Sequence, residues 1–458
     1  MIVKTRFAPS PTGYLHIGGV RTALYNYIYA KQHSGQYYVR IEDTDKVRST
    51  NEAIKAIIEG LDWLDINSDF PIVFQSKNIK RHVAVVNKLL ENKKAYRCYL
   101  TIEEQDILKE KSKEQGLPFR SPWRDKDIIV KRESVIRLKM PDEGSTEIND
   151  IVQGVVKINN SNLDDMVILR SDNTPTYMLA VVVDDQDIGI THIIRGDDHL
   201  NNAFRQIWVY KAMGWEIPKY AHLPLIHGQD GKKLSKRHGA IGVSSYKEQG
   251  FLSDALNSYL ISLGWGKDDL NEYIDIEMAI KKFQLNFLGK SPSRFDFKKL
   301  NNINSYFINN LDFNKVSEIL KKEYKELFNE DILLKALTLI LDRSSNTLDL
   351  IDESKWLFVK EFNYNENDLR TITNEKINLL NDFNGKLPLL EQWDNSKTKI
   401  FLNNWLEKNN CHIKDIGPSL RISLTGQLKA PDLIEILSIL GPKESSLRIN
   451  RLTKHLDH

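Results

Sequence analysis

Two short stretches contain residue types that can handle a phosphorylated substrate. The first is residues 16–19 (His-Ile-Gly-Gly), which precede a helical pattern, and glycines at a helix start let an anion reach the unpaired amides of the first turn. The second is residues 231–239 (Gly-Lys-Lys-Leu-Ser-Lys-Arg-His-Gly), which place four cations within six residues. Lysines act on phosphate as point charges, so the two stretches together could stabilise charge developing on a breaking triphosphate.

Each stretch also has an ordinary interpretation. A histidine before two glycines can lie on the surface of a tight turn between a strand and a helix, and a run of charges is usually a solvated face. The second run is short, is bounded by glycines and is interrupted by Leu234 and Ser235, which favours a binding loop. Within that run, Lys232 is interpreted as a solvated charge.

The residues around the first stretch predict a βαβ unit. Residues 2–7 are apolar and β-branched, which is typical of a buried strand. Two prolines and Gly13 then interrupt regular structure. Residues 36–42 alternate as a second strand. Between the two strands, these apolar residues have helical spacing: Val20, Ala23, Leu24, Tyr27 and Ile28.

The pairing of residues 16–19 with residues 233–237 (Lys-Leu-Ser-Lys-Arg) resembles the two signatures of class I aminoacyl-tRNA synthetases. Three more motifs resemble bacterial glutamyl-tRNA synthetases: residues 6–13 (Arg-Phe-Ala-Pro-Ser-Pro-Thr-Gly), residues 40–45 (Arg-Ile-Glu-Asp-Thr-Asp), and residues 175–177 (Pro-Thr-Tyr) followed by 183–185 (Val-Asp-Asp). The resemblance covers nearly the whole chain. It implies ATP-dependent ligation of L-glutamate to the 3′ end of glutamate tRNA through a glutamyl adenylate.

The resemblance implies roles in ATP binding and catalysis for the two signatures. The catalytic residues would be Lys236, which stabilises the leaving pyrophosphate, its helper Lys233, and His16. The implied ATP-binding residues are His16, Gly18, Gly19, Asp198, Lys233, Ser235 and Lys236. Mg²⁺ would enter with ATP, held mostly by phosphate oxygens and water, so no metal ligands are assigned in the protein.

Two pairs of acids have simpler explanations than metal binding. One of Asp197 and Asp198 is expected to be the N-cap of the following helix. Asp43 and Asp45 follow a strand in an Asp-x-Asp arrangement, which is a weak sign of a metal site, and they are expected to hold loops near the pocket.

The implied amino-acid pocket needs cations for two carboxylates and an acceptor for an ammonium group. Arg6 resembles the residue that holds the side-chain carboxylate, and Arg195 resembles a second carboxylate-contacting arginine whose target carboxylate stays open. The full implied glutamate-binding set is Arg6, Ala8, Ser10, Glu42, Tyr177 and Arg195. Each arginine could instead form a surface ion pair of little consequence. Their places at strand ends near a topological switch point favour the binding role.

The predicted fold class is α/β, a Rossmann-like nucleotide-binding fold with an α+β insertion, followed by all-helical domains. Residues 177–183 are expected to resume the nucleotide fold as a strand that ends at Asp184 and Asp185, and residues 220–227 form a later strand. No β-barrel pattern is present, which argues against the usual glutaminyl enzymes. The expected domains are 1–97 (catalytic, first half), 98–175 (insertion that binds the tRNA acceptor stem), 176–241 (catalytic, second half), 242–315 (helical, stem contact) and 316–458 (helical, anticodon-binding).

Zinc is not expected, although some relatives bind it in the insertion through a Cys-x-Cys pair with later Cys and His ligands. This chain has Cys98 but Leu100, and its next cysteine is Cys411. One cysteine cannot build a tetrahedral thiolate site, so Cys98 is expected to be a small core residue. Two cysteines are also too few for a disulfide framework.

The composition is that of a soluble globular protein and does not by itself indicate RNA binding. The 64 basic and 62 acidic residues give a formal net charge of +2, so any RNA-binding surface must be local. No long apolar run suggests a membrane span, and the chain starts as a strand rather than as a signal peptide. The chain is therefore expected to be cytoplasmic, and the resemblance implies a monomer.

Several alternatives stay open at this point. A truncated relative attaches glutamate to a modified tRNA base, but it lacks the helical half that follows Lys315 here. A nucleotidylyltransferase shares a similar histidine loop but needs neither the insertion nor the helical tail. A catalytically dead RNA-binding paralogue would be expected to lose residues such as His16, Lys233 and Lys236. Whether glutamine tRNA is also a partner, as in a relaxed-specificity enzyme, is undecided.

Overall fold

The computed structural model describes residues 2–45, 48–126, 128–232, 242–265, 273–387 and 393–456. The chain divides into two compact units, residues 1–248 with 253–303, and residues 249–252 with 304–458. The predicted site residues Lys233, Ser235 and Lys236 lie outside the described residues.

The first unit mixes strands and helices. Its strands are β1 (Lys4–Phe7), β2 (Gln36–Ile41), β3 (Val73–Phe74), β4 (Ala95–Cys98), β5 (Val135–Leu138), β6 (Ser145–Asp150), β7 (Gly154–Asn159), β8 (Val167–Leu169), β9 (His192–Gly196), β10 (Lys219–Leu223), β11 (Ile226–His227) and β12 (Ser293–Arg294). Its helices are α1 (Ile17–Gln32), α2 (Asn51–Trp63), α3 (Ile79–Glu91), α4 (Ile102–Glu114), α5 (Tyr177–Ile188), α6 (Leu200–Met213), α7 (Val243–Glu248), α8 (Ser253–Ser262), α9 (Ile276–Lys282) and α10 (Phe297–Asn309), within which the division of the units falls.

The strands form a doubly wound parallel arrangement. β1 pairs in parallel with β2, and β2 with β3, on one side. On the other side β9 pairs in parallel with β10. The two halves meet where the Thr191 amide donates to the carbonyl of Lys4 across 3.0 Å, so β1 lies beside β9. The predicted βαβ unit is confirmed, and the switch point between β1 and β9 is where such folds bind ligands.

The insertion is joined to the nucleotide fold through its strands. β4, β5 and β8 form an antiparallel sheet, and β6 and β7 form an antiparallel hairpin. β6 also pairs in parallel with β10, with Asp150 opposite Tyr220. One buried core contains residues from both parts, among them Ile136 and Leu138 from β5 and Ile193 from β9. The hairpin is therefore attached to the catalytic sheet by strand pairing and by a shared core.

Residues 177–183 are helical, and the prediction of a strand there was wrong. They begin α5, which ends at Gly189 in the left-handed conformation (φ 77°). Every residue from Leu179 to Asp185 is buried. A helix that is apolar all round shows no amphipathic stripe, so its sequence cannot be distinguished from a buried strand by periodicity.

The strand predicted over residues 220–227 is divided into β10 and β11. Pro224 lies between them and has no amide proton to contribute to a ladder. β11 pairs instead with β12, with Ile226 opposite Ser293.

The second unit is built from helices throughout its described residues, which confirms the predicted helical C-terminal half. After α10 these are α11 (Phe313–Tyr324), α12 (Glu330–Leu341), α13 (Thr347–Phe358), α14 (Glu366–Leu369), α15 (Asn374–Lys386), α16 (Asn395–Lys408), α17 (Ile413–Thr425) and α18 (Leu433–Leu456). α18 is kinked at Gly441 (φ 74°), which precedes Pro442. The core of the second unit includes Trp356, Phe383, Leu420 and Ile449. Among the helices described in either unit, none is long and apolar enough to span a bilayer.

Candidate functional site

Four predicted pocket residues come together at the carboxyl ends of the parallel strands. Arg6 lies near the end of β1, Glu42 directly follows β2, and Arg195 lies near the end of β9. Tyr177 begins α5. Burial raises the pKa of the Tyr177 phenol, the nearby Glu42 carboxylate raises it further, and the charges of Arg195 and Arg6 oppose the rise. The four side chains therefore act on one another electrostatically.

Arg6 is fixed by a carboxylate to which the sequence analysis assigned no role. Its side chain is 3% exposed, and its Nε donates to Oδ1 of Asp185 across 3.0 Å. The same oxygen accepts a hydrogen bond of 2.5 Å from Arg40. Burial is the largest influence on the pKa of Asp185 and raises it, but Arg40 and Arg6 outweigh burial and the pKa is lowered. Asp185 is therefore ionised, and within the described chain it is the only hydrogen-bond partner of the Arg6 side chain.

Arg40 connects the other acids of the pocket. It is fully buried, and it donates to Glu42 across 3.1 Å and lies 3.9 Å from a carboxylate oxygen of Asp184. Burial raises the pKa of Glu42, although Arg40 and Arg6 pull in the opposite direction. Asp184 accepts further hydrogen bonds from Gln75, Asn78 and His82, at 2.9, 3.0 and 2.8 Å. Arg40 and the Asp184–Asp185 pair belong to the motifs quoted above, but their sequence spacing does not show that they meet.

Arg195 is buried with one nitrogen unused. Its side chain is 6% exposed. Its Nε donates to Nε2 of His222 across 3.2 Å, and one terminal nitrogen donates to Oε1 of Gln206 at 2.9 Å and to the carbonyl of His199 at 3.3 Å. The other terminal nitrogen, NH1, is buried and has no partner among the described residues. Because buried donors are almost always paired, NH1 marks a place for a ligand oxygen.

His16 caps α1 and uses the two amides that were expected to hold phosphate. Its Nδ1 accepts from the amides of Gly18 and Gly19 at 3.1 and 3.3 Å, and its side chain is exposed. An Nδ1 that accepts carries no proton, so the imidazole is neutral with its proton on Nε2. The donors of the predicted phosphate site are thus partly satisfied within the protein.

The loop after β1 is tied to the end of β2. The Glu42 amide donates to the carbonyl of Pro9 across 2.9 Å, which places Ala8 and Ser10 beside the pocket edge. Ser10 is exposed and Ala8 is partly buried. This geometry fits the expectation that they line the pocket.

Asp198 follows β9 in a 3₁₀ turn, Asp197–His199, and the prediction that one of this acidic pair caps a helix was wrong. The N-cap of the turn is Gly196 and the N-cap of α6 is His199, because the turn delays the start of the α-helix. A Cβ atom on Gly196 would lie 2.6 Å from Oδ1 of Asp198. Gly196 therefore leaves room for the Asp198 carboxylate beside the end of β9.

Asp43 and Asp45 hold loops, as predicted. Asp43 accepts from the amide and hydroxyl of Ser76 at 2.8 and 2.6 Å. Asp45 accepts from the amide and guanidinium of Arg48 at 3.2 and 2.7 Å. Lys232, which directly precedes the second signature, is exposed, as expected of a solvated charge.

The part of the insertion around Cys98 is organised by a buried aspartate, Asp165. Cys98 is buried and its thiol donates to the Ser121 hydroxyl at 3.3 Å, so its prediction as a core residue is confirmed. Asp165 is fully buried and accepts from Tyr96 at 2.9 Å and from Arg124 at 2.5 Å. Over the residues that the structure describes, no three His, Cys, Asp or Glu side chains are grouped as metal ligands would be.

Comparisons with known proteins match both parts of the chain. Residues 2–302 match the model of the catalytic domain of tRNA synthetases class I (E and Q), and residues 311–453 match an anticodon binding domain. A Glutamate–tRNA ligase 2 of Rickettsia felis is 46% identical over 97% of this chain and 98% of that protein. One of Zymomonas mobilis is 44% identical over 98% of this chain and 96% of that protein. A crystal structure of a glutamate tRNA ligase from Elizabethkingia meningosepticum in complex with its amino acid is 29% identical, with a TM-score of 0.85 over all of both chains.

Proposed function

Because this chain belongs to the class I tRNA synthetase (E and Q) family, we propose that it is a glutamate–tRNA ligase, which joins L-glutamate to the 3′ end of glutamate tRNA. The curated relatives named glutamate–tRNA ligase match nearly the full length of both chains. The single structural observation that supports glutamate as the substrate is the pair of buried arginines, Arg6 and Arg195, at the switch point. A substrate with two carboxylates suits two buried guanidinium groups.

The alternatives are not favoured by these relatives. A truncated enzyme that modifies a tRNA base would lack the matched anticodon binding domain at residues 311–453. A nucleotidylyltransferase would not be expected to match that domain either. A dead paralogue is disfavoured because the relatives are ligases at 41–46% identity.

The reaction has two steps, and neither needs a nucleophile from the protein. The amino-acid carboxylate attacks the α-phosphorus of ATP and pyrophosphate leaves. A ribose hydroxyl of the tRNA then attacks the mixed anhydride and displaces AMP. Catalysis therefore consists of positioning and charge stabilisation. Mg²⁺ would enter with ATP.

In this proposal Arg6 binds the side-chain carboxylate of glutamate. Asp185 fixes the guanidinium through Nε, which leaves the terminal nitrogens for a ligand. A glutamine amide in the same place would leave a buried arginine without a charged partner, which costs about 3–5 kcal/mol in comparable sites. The pocket can then discriminate against glutamine by at least roughly a hundredfold. Arg195 takes the α-carboxylate through its unpartnered NH1.

Glu42 binds the ammonium group of glutamate. The pKa of Glu42 is raised by burial, so the two arginines nearby do not fully compensate its charge. An arriving ammonium group supplies the missing positive charge. Tyr177, whose hydroxyl lies 3.2 Å from Nδ1 of His199, supports Arg6 at the side-chain carboxylate. Ala8 and Ser10 provide wall and backbone contacts.

ATP binds between α1 and the lysine stretch. His16 donates to phosphate through Nε2, because its Nδ1 faces the Gly18 and Gly19 amides. Gly18 and Gly19 belong to the same ATP site, at the start of α1. Lys236, helped by Lys233, stabilises the leaving pyrophosphate, and Ser235 and Asp198 complete the ATP site.

The tRNA would contact three parts of the chain: residues 98–175 at the acceptor end, residues 242–315 along the stem and residues 316–458 at the anticodon. The match of an anticodon binding domain to residues 311–453 supports the last of these. Glutamine tRNA is a second candidate partner. The predictions of a cytoplasmic monomer without zinc rest on the resemblance and the composition.

The proposed function is tested by glutamate-dependent exchange of pyrophosphate into ATP, measured with and without tRNA. We expect exchange that requires glutamate and that glutamine does not support. Exchange with neither amino acid in folded protein, with tRNA present, would contradict the proposal.

A further inference from the structure

Arg195 is backed by a buried pair, Asp150 and His222, to which no role has been given so far. Asp150 ends β6, in the insertion, and His222 lies on β10, in the nucleotide fold. We propose that Asp150 and His222 are positioning residues that orient the Arg195 guanidinium for the substrate carboxylate. This inference rests on the proposed function, since it requires Arg195 to bind glutamate.

Asp150 holds His222 from several directions. Its Oδ2 accepts from Nδ1 of His222 across 2.6 Å, and both of its oxygens lie 3.1 Å from the His222 amide. Its Oδ1 also accepts from the amides of Val152 and Gln153 at 3.0 and 2.9 Å. Burial raises the pKa of Asp150, but the hydrogen bonds from His222 and Gln153 outweigh burial and lower it. Asp150 is therefore an ionised, immobile acceptor.

This acceptor sets the tautomer of His222. A histidine that donates from Nδ1 and is neutral has an acceptor at Nε2. That acceptor lies 3.2 Å from Nε of Arg195, which can only donate. Burial lowers the pKa of His222, which keeps the ring neutral although the Asp150 hydrogen bond acts in the other direction. If the His222 ring were protonated on both nitrogens, its Nε2–H would face the Nε–H of Arg195. Two donors cannot form a hydrogen bond with each other, so this contact would be lost.

Asp150 and His222 hold one side of the Arg195 guanidinium, and the contacts on its other side leave a single nitrogen of Arg195 for the substrate. Gln206 and the His199 carbonyl hold the other end of the guanidinium. The Tyr220 ring lies 5.7 Å from the Arg195 guanidinium carbon, and it stacks on His222 with an angle of 5° between the rings. With Nε and NH2 occupied, the plane of the guanidinium is fixed and NH1 is the remaining donor.

A purely structural role is the alternative, because the same residues attach the hairpin to the sheet. The Ile151 amide donates to the Tyr220 carbonyl at 2.9 Å, and the Gln153 side chain donates to the His222 carbonyl at 3.0 Å. Anchoring requires the contact of Asp150 with His222. Positioning requires, in addition, the contact of His222 with Arg195.

Two variants separate these roles. In His222→Asn the amide nitrogen occupies the place of Nδ1 and can still donate to Asp150, but nothing reaches Arg195. In His222→Gln the amide oxygen occupies the place of Nε2 and can accept from Arg195, but the contact with Asp150 is lost. We expect His222→Asn to raise the KM for glutamate roughly tenfold or more, as for a lost hydrogen bond to a charged group. We expect His222→Gln to raise it by at most about threefold, and the KM for ATP to change by less than about twofold in both.

The reverse order, with His222→Gln the worse variant, would show anchoring and overturn the proposal, as would equal effects or no effect. Thermal unfolding of each variant is measured alongside. A variant that does not fold is replaced by Asp150→Asn, whose amide can donate to Nδ1 and so move the imidazole proton to Nε2. We expect the same rise in the glutamate KM, and an unchanged KM there would overturn the proposal.

The pH profile of the wild type gives a second readout. The groups that act on His222 are Asp150, Arg195, Arg6, His199 and Tyr220. Protonation of His222 at acid pH should raise the KM for glutamate, and His222→Gln should show a smaller rise, since the imidazole at this position is then absent. An equal rise in both proteins would contradict the proposal.

Arg195→Ala distinguishes this inference from the proposed function. If Arg195→Ala leaves the KM for glutamate unchanged, the assignment of the pocket is wrong. If Arg195→Ala raises it but His222→Asn does not, only the positioning role fails.

Discussion

Nε of Arg6 donates to Oδ1 of Asp185 across 3.0 Å, and the two side chains are 179 residues apart in sequence and almost fully buried. The contact joins the first strand of the fold to helix α5. It fixes the arginine through Nε, so the forked end of the guanidinium stays available for a carboxylate. The proposed pocket for the amino acid is thus organised without a ligand.

Arg6→Ala should remove most of the preference for glutamate over glutamine. The wild type is expected to discriminate by at least about a hundredfold, since glutamine leaves a buried arginine unpaired. The variant should discriminate by less than about tenfold, measured as the ratio of kcat/KM in pyrophosphate exchange. Arg81→Ala is the matched control, because Arg81 forms an exposed ion pair with Asp187, of little energetic value. Full rejection of glutamine by Arg6→Ala would show that the pocket is elsewhere.

Lys236→Ala should lose most of kcat and keep both its fold and its affinity for glutamate. The lysine is expected to act on the charge of the leaving pyrophosphate, which develops mainly in the transition state. Single-turnover formation of the adenylate, together with glutamate binding measured by calorimetry, checks this split. Lys232→Ala is the control, since Lys232 is exposed, and should stay near the wild-type rate. A kcat for Lys236→Ala within about threefold of the wild type would refute the assignment.

Gly196→Ala should weaken ATP binding without unfolding the protein. The new methyl group would lie 2.6 Å from Oδ1 of Asp198, and the end of that side chain can move, whereas the backbone of Gly196 (φ −61°) accepts alanine. If Asp198 contacts ATP, its displacement should raise the KM for ATP several-fold. Gly385→Ala in helix α15 meets no atom within 4 Å and should gain about 0.5–1 kcal/mol of stability with unchanged kinetics. An unaltered KM for ATP in Gly196→Ala would remove Asp198 from the ATP site.

His192 should make the fold less stable between pH 6.5 and pH 4. Burial lowers its pKa to about 4, helped by Lys219 and His33. The unfolded chain therefore binds more protons than the folded one in this window, and the free energy of unfolding should fall by up to about 3 kcal/mol as the pH drops through it.

Urea unfolding at several pH values measures this loss. In His192→Gln the contribution should be absent, so its stability should depend less on pH than that of the wild type. His455→Gln, at an exposed histidine of the second unit, is the control. Identical pH dependence in His192→Gln and the wild type would show that His192 is not buried as a neutral ring.

Local patterns predicted the elements of this fold where a period or an interruption was clear. The alternation of residues 36–42 and the helical spacing from Val20 to Ile28 both correspond to the observed β2 and α1. The pattern failed at residues 177–183, because a helix buried on all sides has no polar face to show its period. It also failed at Pro224, where a backbone without an amide proton divides the predicted strand.

The sequence identified the residues that we propose to face the ligand, and it did not identify the residues that support them. Arg6, Glu42, Tyr177 and Arg195 were expected from motifs and are brought together by the sheet. Asp150 and His222 are 72 residues apart and meet only because β6 pairs with β10. No local sequence pattern predicts the contact between Asp150 and His222, because it results from the order of the strands in the sheet.

The central claim is tested most directly by transfer of labelled glutamate to separately prepared glutamate tRNA and glutamine tRNA, in the presence of ATP. We expect glutamate tRNA to be charged with glutamate, and charging of glutamine tRNA as well would show relaxed anticodon recognition. Transfer of glutamate to neither tRNA by folded protein would contradict the account.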